Sequence, residues 1–431
     1  MTKADVELWD TPIGEVAWDP KRKAADFRYL DSFIDNPIEP SPIHLAKRPG
    51  IYRFDRLPED AFQGLPGMLA DALPDRYGHA VINRWLEARG RPANSMNPVE
   101  KLLYIGRRAM GALSFSPPSR EVDDDDRSIE IDDLVALANA VLSARADAVR
   151  TITRDRNYED LISVGVSAGG ARAKALVGFD SERRELRSGQ VDLPDGFDHW
   201  LLKLDGVQRS GDHGIPDPQG YGRIEYAYSL MARAAGIDLP ETALLEDGPR
   251  RHFMVRRFDR PQGSRRLHMQ TLGALVHVDY NEPGLFSYEQ ALGVIRRLKC
   301  PAADQHEFLR RAYFNVLARN QDDHVKQVSF LMNQQGDWRL SPAYDLTYAF
   351  NPDGRWTSRH QMSLAGKLED FTPDDLRMLA EAAEQSPSRA RAALEDVAAA
   401  VDRWPEFAGE AGVEENVAES IGKAHRKKLF P

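Results

Sequence analysis

The most constraining stretch of this chain is residues 320–327, NQDDHVKQ, because of what stands on either side of it. Residues 308–318 before it have the apolar spacing of a buried helix. Residues 328–340 after it form an expected hairpin that turns through residues 333–337, and SPAYD, residues 341–345, ends the unit. Two carboxylates, Asp322 and Asp345, therefore flank a hairpin, with Gln327 between them.

Protein kinases arrange a catalytic Asp, an Asn shortly after it, a hairpin and a second, metal-binding Asp in this order. Phosphoryl transfer needs one carboxylate to orient the acceptor hydroxyl, and oxygen ligands to hold Mg2+ against the β- and γ-phosphates. Asp322 fits the base and Asp345 the metal ligand, while Gln327 stands where Asn is expected. An acidic turn between a helix and a hairpin would carry the same letters, so this segment alone leaves both explanations open.

Earlier segments add to it in a defined order. Residues 166–174, VSAGGARAK, lie between two apolar runs, 161–166 and 175–179, where the backbone of small residues is suited to cradling phosphates. It is neither a Walker loop nor GxGxxG, and taken alone it is better explained as a plain hairpin. Lys203 sits inside the apolar strand 200–204, where a lysine is costly without a partner, and Glu225 on the next helix is a candidate. The bland alternative is a lysine on the solvent face of an edge strand. Residues 253–258, ending in Arg256, Arg257 and Phe258, then resemble a strand running into an adenine-binding connector. Glycine turn, strand lysine, helix glutamate, connector, base and metal ligand thus come in kinase order.

Length and charge narrow the setting. A chain of 431 residues should form more than one lobe. No apolar run approaches the roughly 20 residues needed to cross a bilayer. Residues 1–10 are polar and acidic, unlike a signal peptide. Cys300 is the only cysteine, which excludes an intrachain disulfide and a Cys-rich zinc site. These features place the protein in the cytoplasm, without membrane contact. A formal net charge of −10 argues against binding nucleic acid unaided. The basic clusters at 250–251, 256–257, 265–266 and 425–428 are expected to be solvated surface.

The expected elements are strands at 6–9, 13–18, 27–29 and 51–54, helices at 80–89, 99–104, 129–145 and 223–235, and one alanine-rich helix at 380–401. EVDDDD, residues 121–126, marks a boundary. The expected division is 1–122, an N-terminal lobe; 123–290, a central region with glycine loop, lysine and connector; and 291–431, a helical C-terminal lobe.

Together these motifs resemble the HipA family over nearly the whole chain: SAGGARAK, EYAYSLMARAAG, VRRFDR, NQDDHVK and SPAYDL in the kinase portion, with DALPDRYG and LLYIGRRAMGALSFSP before it. The resemblance implies an α+β, two-lobed protein-kinase-like fold and a serine/threonine kinase using ATP and Mg2+, the toxin of a toxin–antitoxin pair. It implies a catalytic Asp322, metal ligands Gln327 and Asp345, and autophosphorylation of Ser167. The implied ATP contacts are Ala168, Gly169, Gly170, Ala171, Arg172, Ala173, Lys174, Lys203, Glu225, Arg256, Arg257, Phe258, His324, Lys326, Gln327, Tyr344 and Asp345. Implied partners are a small helix-turn-helix, HipB-like antitoxin, operator DNA through that antitoxin, and a protein substrate such as glutamyl-tRNA synthetase or another aminoacyl-tRNA synthetase. The family's Asn is Gln327 here, which lengthens a metal ligand by one methylene. Asp323 stands where some members have Gly, a change expected to be harmless. Two other readings stay open: a nucleotide-binding corepressor weakened by Gln327, and a small-molecule phosphotransferase on the same lobes.

Overall fold

The computed structural model describes residues 2–118, 129–142, 172–182, 184–189, 192–207, 220–261 and 265–427. The chain divides into two compact units. The first comprises Met1–Glu39, Leu45–Gly222 and Thr242–His268; the second comprises Pro40–His44, Arg223–Glu241 and Met269–Pro431.

Two antiparallel five-stranded sheets build the first unit. One holds β1 (Lys3–Leu8), β2 (Thr11–Asp19), β3 (Ala24–Tyr29), β4 (Tyr52–Arg53) and β5 (Leu113–Ser116) in the order β4-β3-β2-β1-β5. Alternation along β1 turns Ala4, Val6 and Leu8 inward. The helix Pro98–Ile105 lies against this sheet, started by a capping box between Asn97 and Glu100 and by a proline at its first turn. The other sheet holds β6 (Lys174–Asp180), β7 (Glu185–Ser188), β8 (Asp198–Lys203), β9 (Thr242–Asp247) and β10 (Arg250–Arg256) in the order β7-β6-β8-β10-β9. Residues of the helices Arg76–Ala88 and Ile131–Leu142, including Val81, Leu86, Leu134 and Val141, share one core with Ala175, Val177 and Leu202 of this sheet. Apolar residues from both sides of the acidic run 121–126 therefore pack together, while the run itself lies outside the described residues.

The second unit is mainly helical. Its spine is the helix Ala302–Leu317, whose buried side includes Phe308, Ala312, Tyr313 and Phe314. Around it stand Tyr288–Arg297, Pro373–Ala382 and Pro387–Asp402, and after these come Trp404–Glu410 and Glu415–Ala424. A small sheet joins β11 (His268–Thr271), β12 (Ser329–Met332) and β13 (Trp338–Leu340), the last two forming the expected hairpin.

Two sequence expectations are corrected, and one strand was not anticipated. The alanine-rich run 380–401 is two helices, because Glu384 takes a left-handed conformation and Ser386, with Pro387 behind it, starts a new helix. Strand β9, TALLED, went unread because it is a short, half-polar edge strand beside β10. The basic clusters are not uniformly solvated: Arg257 and His425 are buried. The described part of the helix expected at 129–145 is Ile131–Leu142.

Candidate active site

The second unit closes the two acidic motifs on each other. The spine helix anchors the far end of the hairpin: Asp304 accepts the backbone N–H of Leu340 at 2.7 Å, and Arg311 donates to the carbonyl of Ser341 at 2.8 Å. The hairpin's return strand and the start of SPAYD are thereby fixed to the helix that leads into NQDDHVKQ. Gln327 Nε2 then donates to Asp345 Oδ2 at 2.8 Å, joining the end of one motif to the end of the other. Asp345 is held at φ 57°, a left-handed conformation uncommon for a residue with a side chain.

Asp322 keeps 39% of its side chain exposed and lies 3.7 Å from His324 Nε2. His324 Nδ1 accepts the backbone N–H of Lys326 at 3.2 Å, so the ring proton of neutral His324 sits on Nε2, toward Asp322. Lys326 stands over the ring of Tyr280, 4.7 Å from its centroid. Tyr344 donates its hydroxyl proton to the carbonyl of Lys326 at 2.6 Å and accepts from Ser329 at 2.5 Å. The Tyr344 hydroxyl therefore braces the loop. Behind the loop, Gly273 donates to the carbonyl of Val325 at 3.0 Å, and a Cβ at Gly273 would meet the Val325 side chain at 2.9 Å. Only a glycine permits that approach.

Asp323 has surroundings that the sequence does not signal. It is 1% exposed, and its carboxylate receives Tyr288, His360 and the backbone N–H of Gln361. Burial alone would raise its pKa, but His360 and the donated hydrogen bonds hold it below the ordinary carboxylate value. A glycine there would leave three buried groups without their acceptor. No motif signals this, because the partners lie 35 and 37 residues further back and on.

The first unit carries the remaining described residues apart from Glu225. Lys174 and Lys203 are cross-strand partners of β6 and β8, so their side chains leave the same face. Lys174 is 3% exposed, and its ammonium lies 3.4 Å from Asp75, the residue that caps the helix Arg76–Ala88. That carboxylate offsets the repulsion of two facing lysines. Lys203 extends over the Phe253 ring at 5.8 Å. Arg172 lies over Tyr221, and Ala173 is buried, accepting the backbone N–H of Leu204 at 3.0 Å. Glu225 is buried on the helix Tyr221–Ala234 and belongs to the second unit. Ser167, Ala168, Gly169, Gly170 and Ala171 lie outside the described residues.

In VRRFDR the arginines diverge. Arg256 reaches Asp198 at 2.5 Å and is partly exposed, whereas Arg257 forks onto Asp259 at 3.0 and 2.7 Å. Asp259 also takes Arg260 at 2.7 Å and the backbone N–H of Gly111 at 2.8 Å. Arg260 and Arg266 further cap carbonyls of residues 107–113. Burial opposes ionisation of Asp259, yet the two guanidiniums hold its carboxyl far below the usual range. Burial pushes Arg260 down to about 9, and burial beside Arg257 and Arg260 pushes His199 down to about 4. Asp259, Arg260 and Arg266 thus join the end of the connector to the 107–113 loop, Arg257 acts only through Asp259, and Phe258 is partly buried.

Among the described residues no helix is long and apolar enough to cross a membrane, and no cluster of three metal-ligating His, Cys, Asp or Glu side chains occurs. Residues 4–116 match the HipA N-terminal domain and residues 166–404 the HipA-like C-terminal domain. The chain is 26% identical over 303 residues to "Putative kinase Y4dM" of Sinorhizobium fredii, covering 66% of this chain and 64% of that protein. It is 28% identical over 159 residues to a "Putative kinase" of Haemophilus influenzae, covering 33% and 46%. Each match spans less than two thirds of the relative's length. A chain from the Shewanella oneidensis MR-1 toxin–antitoxin complex of HipA, HipB and operator DNA superposes with TM-score 0.66 at 17% identity, covering 99% of this chain and 96% of that one. At that identity the likeness shows the fold: mixed α and β, sheet-rich toward the N-terminus and helical toward the C-terminus. With its two domains matched in order over more than half its length, the chain belongs to the HipA family.

Proposed function

We propose that this protein is an ATP- and Mg2+-dependent serine/threonine protein kinase acting as the toxin of a toxin–antitoxin pair in the cytoplasm. The observation that carries this is the Gln327–Asp345 hydrogen bond, which joins the loop bearing the exposed Asp322 to the second acidic motif. Asp345 and Gln327 offer oxygen ligands only, the chemistry Mg2+ prefers, and these two residues would hold it. Bound there, the metal would neutralise charge on the β- and γ-phosphates. Asp322 orients the acceptor hydroxyl and takes its proton, with His324 Nε2–H steadying the carboxylate. Lys203, Glu225, Arg256, Phe258 and residues 168–171 are the proposed ATP contacts, and the proposed division is 1–122, 123–290 and 291–431. Lys174, paired with the Asp75 carboxylate, is a further proposed ATP contact.

The acceptor is a protein of translation, an aminoacyl-tRNA synthetase being the expected class, and Ser167 is the self-modification site. Phosphate on Ser167 would set a dianion beside the ATP phosphates and oppose binding. A HipB-like helix-turn-helix antitoxin is the partner, and operator DNA is reached through it. One observation favours a second reading. Gln327 spends its amide N–H on Asp345, so the metal site is more constrained than with Asn, as in a weakened kinase that binds nucleotide and serves as a corepressor.

Incubating the protein with labelled Mg-ATP tests both. The kinase reading expects phosphate on protein, including Ser167 by mass spectrometry, and its loss in Asp322→Ala. ATP binding without any transfer would favour the corepressor. Phosphate found only away from Ser167 would remove the inhibitory switch.

A further inference from the structure

Asp322 and Asp323 are neighbours with opposite surroundings: one faces solvent, the other has no exposed side-chain surface. Asp323 Oδ1 accepts the backbone N–H of Gln361 at 2.7 Å. Oδ2 accepts the Tyr288 hydroxyl at 2.5 Å and faces Nδ1 of the fully buried His360 at 2.7 Å. A carboxylate oxygen can only accept here, so His360 carries its proton on Nδ1. The chain of bonds continues. The Tyr288 hydroxyl accepts from Asn315 at 3.0 Å, and Asn315 accepts from Asn320 at 2.9 Å. The entrance to the loop, at Asn320, and Asp323 within it are thus tied to the same buried cluster.

We propose that Asp323 and His360 are a positioning pair, in which the Nδ1–H of His360 holds Asp323 inward and so sets the direction of the Asp322 carboxylate. This role presupposes Asp322 as the base. His360 touches no reacting atom; it acts through Asp323 and one peptide unit. A shift of the base by about an ångström costs on the order of a hundredfold in rate, so the pair should govern turnover more than nucleotide binding.

The test exploits the two imidazole nitrogens. Asn carries its amide nitrogen where Nδ1 stood, whereas Gln carries it where Nε2 stood. His360→Gln should lower single-turnover transfer by roughly ten- to a hundredfold, with ATP KM changed less than about twofold. His360→Asn should recover most of that loss. Equal rates for the two folded variants, both high or both low, would overturn the proposal. If neither folds, Tyr288→Phe replaces them: removing one donor from Oδ2 should slow transfer several-fold at unchanged KM, and a wild-type rate would overturn the pair. Independently of activity, nitrogen-resolved NMR should show a slowly exchanging Nδ1–H on His360 that disappears in Asp323→Ala; an Nε2–H tautomer would contradict it. Asp322→Ala separates the two claims. If it transfers normally, the base assignment fails; if it is dead while His360→Gln is unimpaired, only the positioning role fails.

Discussion

Asp259 in the first unit and Asp323 in the second are both buried carboxylates inside motifs that read as ligand-contacting, yet they are compensated differently. Asp259 answers two guanidiniums and one backbone N–H. Asp323 answers a hydroxyl, an imidazole N–H and one backbone N–H. Removing the first strands two buried cations, whereas removing the second leaves three donors unanswered. The contrast teaches that a conspicuous charged motif is divided residue by residue between scaffold and chemistry. In VRRFDR the inner members hold the connector to the 107–113 loop; in NQDDHVKQ a single inward aspartate lets its neighbour face out.

The largest expected effect comes from that difference. Asp259→Ala should destabilise the first unit by about 3–5 kcal/mol, the usual cost of breaking a buried ion pair from one side. Asp259→Ala with Arg257→Leu and Arg260→Met should recover much of it. Chemical denaturation of the three proteins checks both statements, and a single mutant as stable as wild type would break the comparison.

A second prediction concerns acid. Asp259 has a depressed folded pKa, so its contribution is present above the ordinary carboxylate value and lost only as pH falls through the lower folded one. Buried histidines act earlier. His425, pushed down to about 3 by burial first and by Lys427 and Arg319 second, stays neutral in the fold while the unfolded chain takes up a proton below about 6.5. Stability in the second unit should therefore start to fall below about pH 6.5, before carboxylates titrate. The Tyr228 hydroxyl proton goes to the carbonyl of Ala318, so His425 Nε2 donates to Tyr228. Gln preserves that donor without titrating. His425→Gln should shift the acid midpoint to lower pH; an unchanged profile would show that His425 does not set it.

The smallest expected change is at Gln327. Asn offers the same carbonyl with one rotor fewer, a difference of up to about 1 kcal/mol in side-chain entropy. Gln327→Asn should raise single-turnover transfer, most clearly at low Mg2+. Equal rates at every Mg2+ concentration would show that Gln327 already serves as Asn does.

Much of the fold and the site was legible from residue order. Strands β1 to β4 and the hairpin of β12 and β13 were readable from alternation and turn residues, and Asp322, Gln327 and Asp345 from their spacing about that hairpin. The features that stayed hidden depend on contacts between distant residues. The pairing of Lys174 with Asp75 joins residues about a hundred positions apart. Arg257 looks like surface until Asp259 and its neighbours enclose it. Asp323 looks dispensable because Tyr288 and His360 are far away in sequence. The proline at 387 was visible, but the helix signal around it concealed the break.

The central claim, that adjacent aspartates divide chemistry from support, is tested most directly by comparing Asp322→Ala with Asp323→Ala for transfer from Mg-ATP and for thermal unfolding. Asp322→Ala should lose transfer by about 10²–10⁴-fold, the range for removing a general base, and melt as wild type does. Asp323→Ala should melt at clearly lower temperature, since three buried donors lose their acceptor at about 1–3 kcal/mol each. Near-normal transfer by Asp322→Ala, or wild-type melting by Asp323→Ala, would contradict the account.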